Sequence, residues 1–85
     1  MKRFEDLTEQ EILALAVSSE EEDSQIYMSF SNRLRDTFPA TAQMFEDMAM
    51  EEQDHKNMLL DVFRRRFGER MPYITRQDVR GFMRR

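Results

Sequence analysis

The chain lacks cysteine and tryptophan, and it has only two glycines and two prolines among its 85 residues. Without cysteine it has no thiolate nucleophile, disulfide, CxxC redox pair or cysteine-ligated metal site, which fits a reducing compartment. Two glycines leave no room for a glycine-rich phosphate-binding loop. No apolar run approaches the roughly 18–20 residues of a membrane span, and the opening MKRFEDLTEQE lacks the apolar stretch of a secretory signal. These absences predict a soluble cytoplasmic domain.

The length of the chain limits it to one small domain, which we place at residues 1–85. A domain of this size buries only roughly 60–65% of the surface that its unfolded chain exposes, so its own core is marginal. No disulfide is available to compensate. We therefore expect a homodimer or a higher even oligomer.

The net charge of −4 is unevenly distributed along the chain. Residues 1–60 hold 14 acidic and 5 basic side chains, whereas residues 61–85 hold 3 acidic and 8 basic ones. No Lys or Arg lies between Glu5 and Asn32. We expect cations other than protein side chains beside the acidic part, although solvated helix faces would explain the same pattern. The negative charge argues against nucleic-acid binding.

Capping residues and a proline mark the first predicted helix. Thr8 and Glu11 have the spacing of a capping box, in which each side chain accepts a hydrogen bond from the other residue's backbone N–H. No helix breaker follows until Pro39, which disfavours helical geometry in the residue before it. We therefore predict a helix over about residues 8–37.

Two more helices are predicted after that proline. A helix over about residues 39–67 would end at Gly68, after a last turn rich in arginine. A short helix over about residues 75–84 is predicted because Thr75 and Asp78 have capping-box spacing. Strand alternation, repeats and low complexity are not evident.

The short link between the two long helices predicts that they run antiparallel. The predicted fold class is therefore all-α: a helical hairpin, which is half of a four-helix bundle, with a short C-terminal helix. We expect dimerisation to complete the bundle.

Each long helix carries an apolar stripe that contains charged residues. An α-helix turns by about 100° per residue, which determines the residues that share one face. On this basis the apolar face of the first helix also holds Glu20 and Asp23, and that of the second holds Glu52 and His55. The apolar members are Ile12, Leu13, Ala16, Tyr27, Phe30 and Leu34 on the first helix and Met44, Phe45, Met48, Leu59, Val62 and Phe63 on the second. A carboxylate in an apolar face needs a partner, a proton or a metal.

The spacing of these residues predicts a metal site. Glu52 and His55 lie three residues apart, so both can bind the same cation, and Glu20 would be the third ligand. A dinuclear site in a four-helix bundle takes one Glu from each of two helices and a Glu-x-x-His pair from each of the other two, so two copies of this chain would complete it. Oxygen ligands with imidazole favour iron or manganese, with zinc a further option in vitro. Alternatively, these side chains only form hydrogen bonds within an interface.

The residues that carry the predicted site also carry a resemblance to a known family. The stretch from Glu20 to Tyr27, together with EEQDH at residues 51–55, resembles the ferritin-like superfamily, especially rubrerythrin-like and encapsulated-ferritin chains. Nearly the whole chain, including EEED, FPATA, MEEQDH and ITRQDVRGF, is similar to the N-terminal domain of bacterial membrane-bound ferritins.

The resemblance implies metal-binding and catalytic roles for Glu20, Glu52 and His55, at an iron site between subunits. It also places Tyr27 beside that site. Further candidates are Glu51, as a ligand in place of Glu52 or beside it, and Asp23, as an extra ligand or as a carboxylate along the path of incoming iron. The outward-pointing Glu22 would serve the same path in a larger assembly.

The implied function is oxidation of Fe(II) by O2 or H2O2 at a di-iron site, in iron detoxification and export. The family adds a C-terminal membrane region similar to vacuolar iron transporters, which implies a position at the cytoplasmic face of the bacterial inner membrane. The chain departs from rubrerythrin itself in lacking the cysteine-ligated iron domain that delivers electrons. Two alternatives stay open: a metal sensor without redox turnover, and a purely structural dimerisation module.

Overall fold

The computed structural model describes residues 2–81 as two long helices with short irregular ends. Strand β1 is Lys2–Arg3, followed by a 3-10 turn at Phe4–Asp6. Helix α1 spans Glu9–Leu34 and helix α2 spans Pro39–Phe67. A second 3-10 turn at Arg76–Asp78 leads into strand β2 at Val79–Arg80. None of the helices between residues 2 and 81 is both long and apolar enough to cross a membrane.

Helix α1 begins as predicted and ends earlier than predicted. The Thr8 hydroxyl accepts a hydrogen bond from the Glu11 N–H at 3.2 Å, and the Glu11 carboxylate accepts one from the Thr8 N–H at 2.9 Å. The predicted end at residue 37 is wrong, because the helix stops at Leu34. The N–H groups of Thr37 and Phe38 both donate to the Leu34 carbonyl, so residues 35–37 form the turn that reverses the chain.

Helix α2 has the predicted bounds. Pro39 lies in its first turn, where a missing N–H costs no helical hydrogen bond. Gly68 ends the helix with a φ of 86°, a conformation that other residues rarely adopt, and its N–H donates to the Arg64 carbonyl at 3.0 Å.

The two helices meet along a seam of mostly small residues. Ser24 lies at its centre, where its hydroxyl donates to the Ala49 carbonyl across the seam at 3.1 Å. Small side chains let two helices approach closely. The buried members are Ala14, Val17, Ser24 and Ser31 on α1 and Ala42, Ala49 and Phe63 on α2.

The predicted apolar stripes lie beside this seam rather than in it. None of the apolar residues in the α1 stripe is buried, and Phe63 is the buried member of the α2 stripe. The most open members include Ile12, Phe30 and Met44. The seam within one chain is built instead from smaller side chains at seven-residue spacing, such as Val17, Ser24 and Ser31. The stripes instead form a second, partly open face, which we call the open face.

The C-terminal segment, residues 71–80, corrects two further predictions. In place of the short helix over 75–84 there is a 3-10 turn followed by β2, and residues 82–84 of that prediction lie outside the described residues. Strands were not predicted, yet β2 pairs parallel with β1, with Val79 opposite Lys2. A two-residue strand has no periodicity to recognise. Burial of the apolar side chains holds the segment in place, in a cluster of Leu7, Ala14, Leu15, Ile74 and Val79.

Candidate metal centre

Three of the predicted site residues meet at mid-length of the hairpin. Glu20 comes from α1, and Glu52 and His55 come from successive turns of α2. One potential ligand atom from each lies within 4.8 Å of the other two. Nδ1 of His55 is 3.6 Å from Oε2 of Glu20 and 3.8 Å from Oε1 of Glu52. These two distances exceed a hydrogen bond but match the roughly 3–4 Å between two ligands of one ion at metal–ligand bonds near 2.1 Å.

The electrostatics of the cluster also favour a cation. Oε2 of Glu20 is buried and has no hydrogen-bond partner among residues 2–81. The adjacent Glu20 carboxyl, burial and the negative charge of Asp23 raise the pKa of Glu52 to about 7. A bound positive ion would offset the negative charge that surrounds the Glu52 carboxyl.

The cluster is open on the His55 side. The side chain of His55 is 55% exposed, whereas those of Glu20 and Glu52 are 25% and 20% exposed. One protomer thus offers a set of three donors with room for further ligands.

Tyr27 lies two turns beyond Glu20 on α1, in an aromatic group on the open face. Its ring stacks on that of Phe45 at 6.0 Å between centroids, and Phe30 meets Phe45 edge-on at 5.2 Å. The role of Tyr27 beside a metal stays a prediction.

Asp23 and Glu22 are held by an arginine that sequence analysis missed. Arg76 donates from Nη2 to Oδ1 of Asp23 at 2.5 Å and from Nε to Oε2 of Glu22 at 3.0 Å. The same Nη2 donates to the Ser19 carbonyl at 2.9 Å. The capping-box spacing of Thr75 and Asp78 was the available signal for an ordered turn here, but it could not show that this turn packs against α1.

Glu51, the alternative ligand, lies outside the cluster. Glu51 is exposed, and it is not one of the three residues whose potential ligand atoms meet. Glu21 also lies outside the cluster, since Lys56 donates to its carboxylate at 3.1 Å and Gln53 at 2.6 Å. These hydrogen bonds hold the pKa of Glu21 below its usual value. Protein cations thus reach part of the acidic stretch from elsewhere in the chain, namely Lys56 and Arg76. The expectation of further cations beside it stays a prediction.

Comparison with known proteins identifies the family of the chain. A family model described as Rubrerythrin matches residues 11–85. The chain belongs to the rubrerythrin family. The match covers both long helices and the C-terminal segment, so the hairpin is a half-bundle of the ferritin-like type. The rubrerythrin family consists of iron-binding proteins that are often oxidoreductases. The curated proteins and the solved structures contain no match to the chain.

Proposed function

We propose that this domain is a ferroxidase that binds Fe(II) as its substrate at Glu20, Glu52 and His55 and transfers its electrons to O2 or H2O2. The observation that carries the proposal is the meeting of these three donors around a buried Glu20 oxygen without a hydrogen bond. Carboxylates with imidazole suit iron, and they bind manganese and zinc as well. Family membership supports iron as the metal.

A complete two-ion site would need two protomers. Three donors are too few for two ions, and a two-fold copy would supply a second Glu20 and a second Glu-x-x-His pair. Exposed apolar residues of the open face, such as Ile12 and Met44, would be covered in the same contact. The proposed dimer thus completes the bundle and the site together.

The proposed reaction needs no organic cofactor. With peroxide, two Fe(II) give one electron each, and two protons are taken up as H2O2 becomes two waters. Glu20 and Glu52 provide negative charge that stabilises the higher charge of the ferric product, and His55 fixes the ion on the α2 side. Since the pKa of Glu52 is about 7 without metal, binding of iron would displace a proton from this carboxyl near neutral pH.

Anaerobic titration with Fe(II), followed by native mass spectrometry and rapid mixing with O2 or H2O2, tests the proposal. We expect two irons per dimer and fast growth of ferric absorbance in the near ultraviolet. Glu52→Gln should lower iron affinity by at least about tenfold, because it removes an anionic ligand. Glu51→Gln is the matched control, since it makes the same change on the neighbouring exposed residue and should leave binding unchanged.

The other outcomes separate the alternatives. Binding without oxidation would favour a metal sensor, and a dimer without binding would favour a structural module. Equal loss in Glu51→Gln and Glu52→Gln would contradict the ligand assignment. Transfer of iron to a membrane region is a further proposal that rests on the likeness to membrane-bound ferritins.

A further inference from the structure

Arg76 reaches α1 one turn from Glu20, at the edge of the candidate metal centre. Its guanidinium bonds Asp23, Glu22 and the Ser19 carbonyl, so it spans the turn of α1 that carries Glu20. A cavity of about 320 Å³ is lined by Glu20, Asp23 and Arg76 together with apolar residues. Arg76 and the candidate ligand Glu20 therefore border the same space.

The position of Arg76 is fixed by its own segment. The Ser18 hydroxyl donates to the Ile74 carbonyl at 2.6 Å, directly before the turn that carries Arg76. Ile74 and Val79 are buried on either side of that turn. Arg76 itself is 26% exposed, which is low for an arginine side chain. The packing of this segment against α1 therefore holds the Arg76 guanidinium in place.

Asp23 is the residue on which Arg76 acts. It follows Glu20 by three residues, so the two carboxylates lie on the same side of α1. Its negative charge contributes to the raised pKa of Glu52, so Asp23 lies near the candidate metal centre. Asp23 is nevertheless not one of the three residues whose potential ligand atoms meet. Its Oδ1 is instead bonded to Arg76 at 2.5 Å.

We propose that Arg76 is a positioning residue that keeps the Asp23 carboxylate out of metal coordination, so that each protomer presents one fixed donor set of Glu20, Glu52 and His55. This inference rests on the proposed function. A third carboxylate in this donor set would strengthen binding of the metal ion, and more strongly for a ferric than for a ferrous ion. By holding Asp23, Arg76 keeps the site from retaining its own oxidised product.

The test measures Co(II) binding to the whole chain by calorimetry and by visible absorption, whose band intensity falls as coordination number rises. Arg76→Gln should tighten Co(II) binding by at least about threefold, because it removes a nearby positive charge and frees Asp23. It should also weaken the visible band. The double variant Arg76→Gln with Asp23→Asn has the same net charge as the wild type and should match its affinity and its spectrum. Arg80→Gln, a charge-matched change at the exposed residue of β2, should have no effect.

Three results would overturn the inference while leaving the proposed function intact. Loss of affinity by tenfold or more in the double variant would make Asp23 a ligand, and so would an altered spectrum of Asp23→Asn at saturating Co(II). Unchanged affinity in a folded Arg76→Gln would also overturn it. If Arg76→Gln loosens the segment, the spectrum of Asp23→Asn still decides the question. A wild type that binds no Co(II), or a Glu52→Gln variant that binds it equally well, would refute the proposed function and this inference with it.

Discussion

At the scale of single residues, ionisation of Glu52 destabilises the folded state of the metal-free protein. Its pKa is raised to about 7, because it lies against the Glu20 carboxyl and is largely buried. In the unfolded chain Glu52 loses its proton near its ordinary pKa of 4.5. The folded state therefore holds an extra proton between these two values, and stability falls as pH rises from about 4.5 to about 7.

We accordingly expect Glu52→Gln to stabilise the metal-free protein at pH 8 and to have little effect at pH 4. The amide keeps the size of the side chain but cannot ionise, so the repulsion with Glu20 disappears. Thermal unfolding in the presence of a chelator, followed by circular dichroism, checks this. In a domain of this size, each kcal/mol of stabilisation should raise the melting temperature by roughly 4–8 °C. Glu51→Gln is again the control, and a decrease in melting temperature for Glu52→Gln at pH 8 would contradict the account.

The residue scale also shows which neighbours the sequence predicts and which it does not. Glu20, Glu52 and His55 could be grouped from the sequence, because position along a helix determines which side a residue occupies. Arg76 could not be found in this way. Its bond to Asp23 joins residues 53 positions apart and depends on how the C-terminal segment packs, which no local pattern reports.

At the scale of the elements, the seam between α1 and α2 fixes how closely the helices approach. Ala49 is 1% exposed and its carbonyl accepts the bond from Ser24, so it has no room for a larger side chain. Ala49→Leu should lower the free energy of unfolding by about 1–3 kcal/mol, because overpacking forces the helices apart. Ala40→Leu, on an exposed position of the same helix, should change it by less than about 0.5 kcal/mol. Urea unfolding of both variants checks this, and equal effects would refute the close seam.

The elements were predicted unevenly for a physical reason. Helix starts have local signals such as Thr8 with Glu11 and Pro39, and both were placed correctly to within one residue. The end of α1 was placed three residues late, because the tight turn at residues 35–37 is set by the reversal of the chain. Strand β2 was mistaken for helix because Val79 is buried in a cluster with residues far away in the sequence, such as Leu7 and Leu15.

At the scale of the whole molecule, the open face should mediate association. Met44 is 50% exposed and lies within about 20° of His55 around α2. Met44→Lys should shift the protein from dimer to monomer and reduce iron binding per chain, because the proposed site needs both copies. Met50→Lys is the matched control, since Met50 is 60% exposed but lies about 140° from His55. Sedimentation velocity checks both variants, and an unchanged dimer in Met44→Lys would place the interface elsewhere.

The C-terminal segment is far in sequence from the residues it contacts, so it should dock late in folding. The hairpin closes through a turn of a few residues, whereas Ser18 meets Ile74 only by closing a loop of 56 positions. Short loops close at lower entropic cost, so the hairpin should form first and the segment dock last. Glu20, Glu52 and His55 are all on the hairpin, so the donor set is assembled before Arg76 arrives. The newly folded hairpin therefore passes through a stage in which Asp23 has not yet been paired.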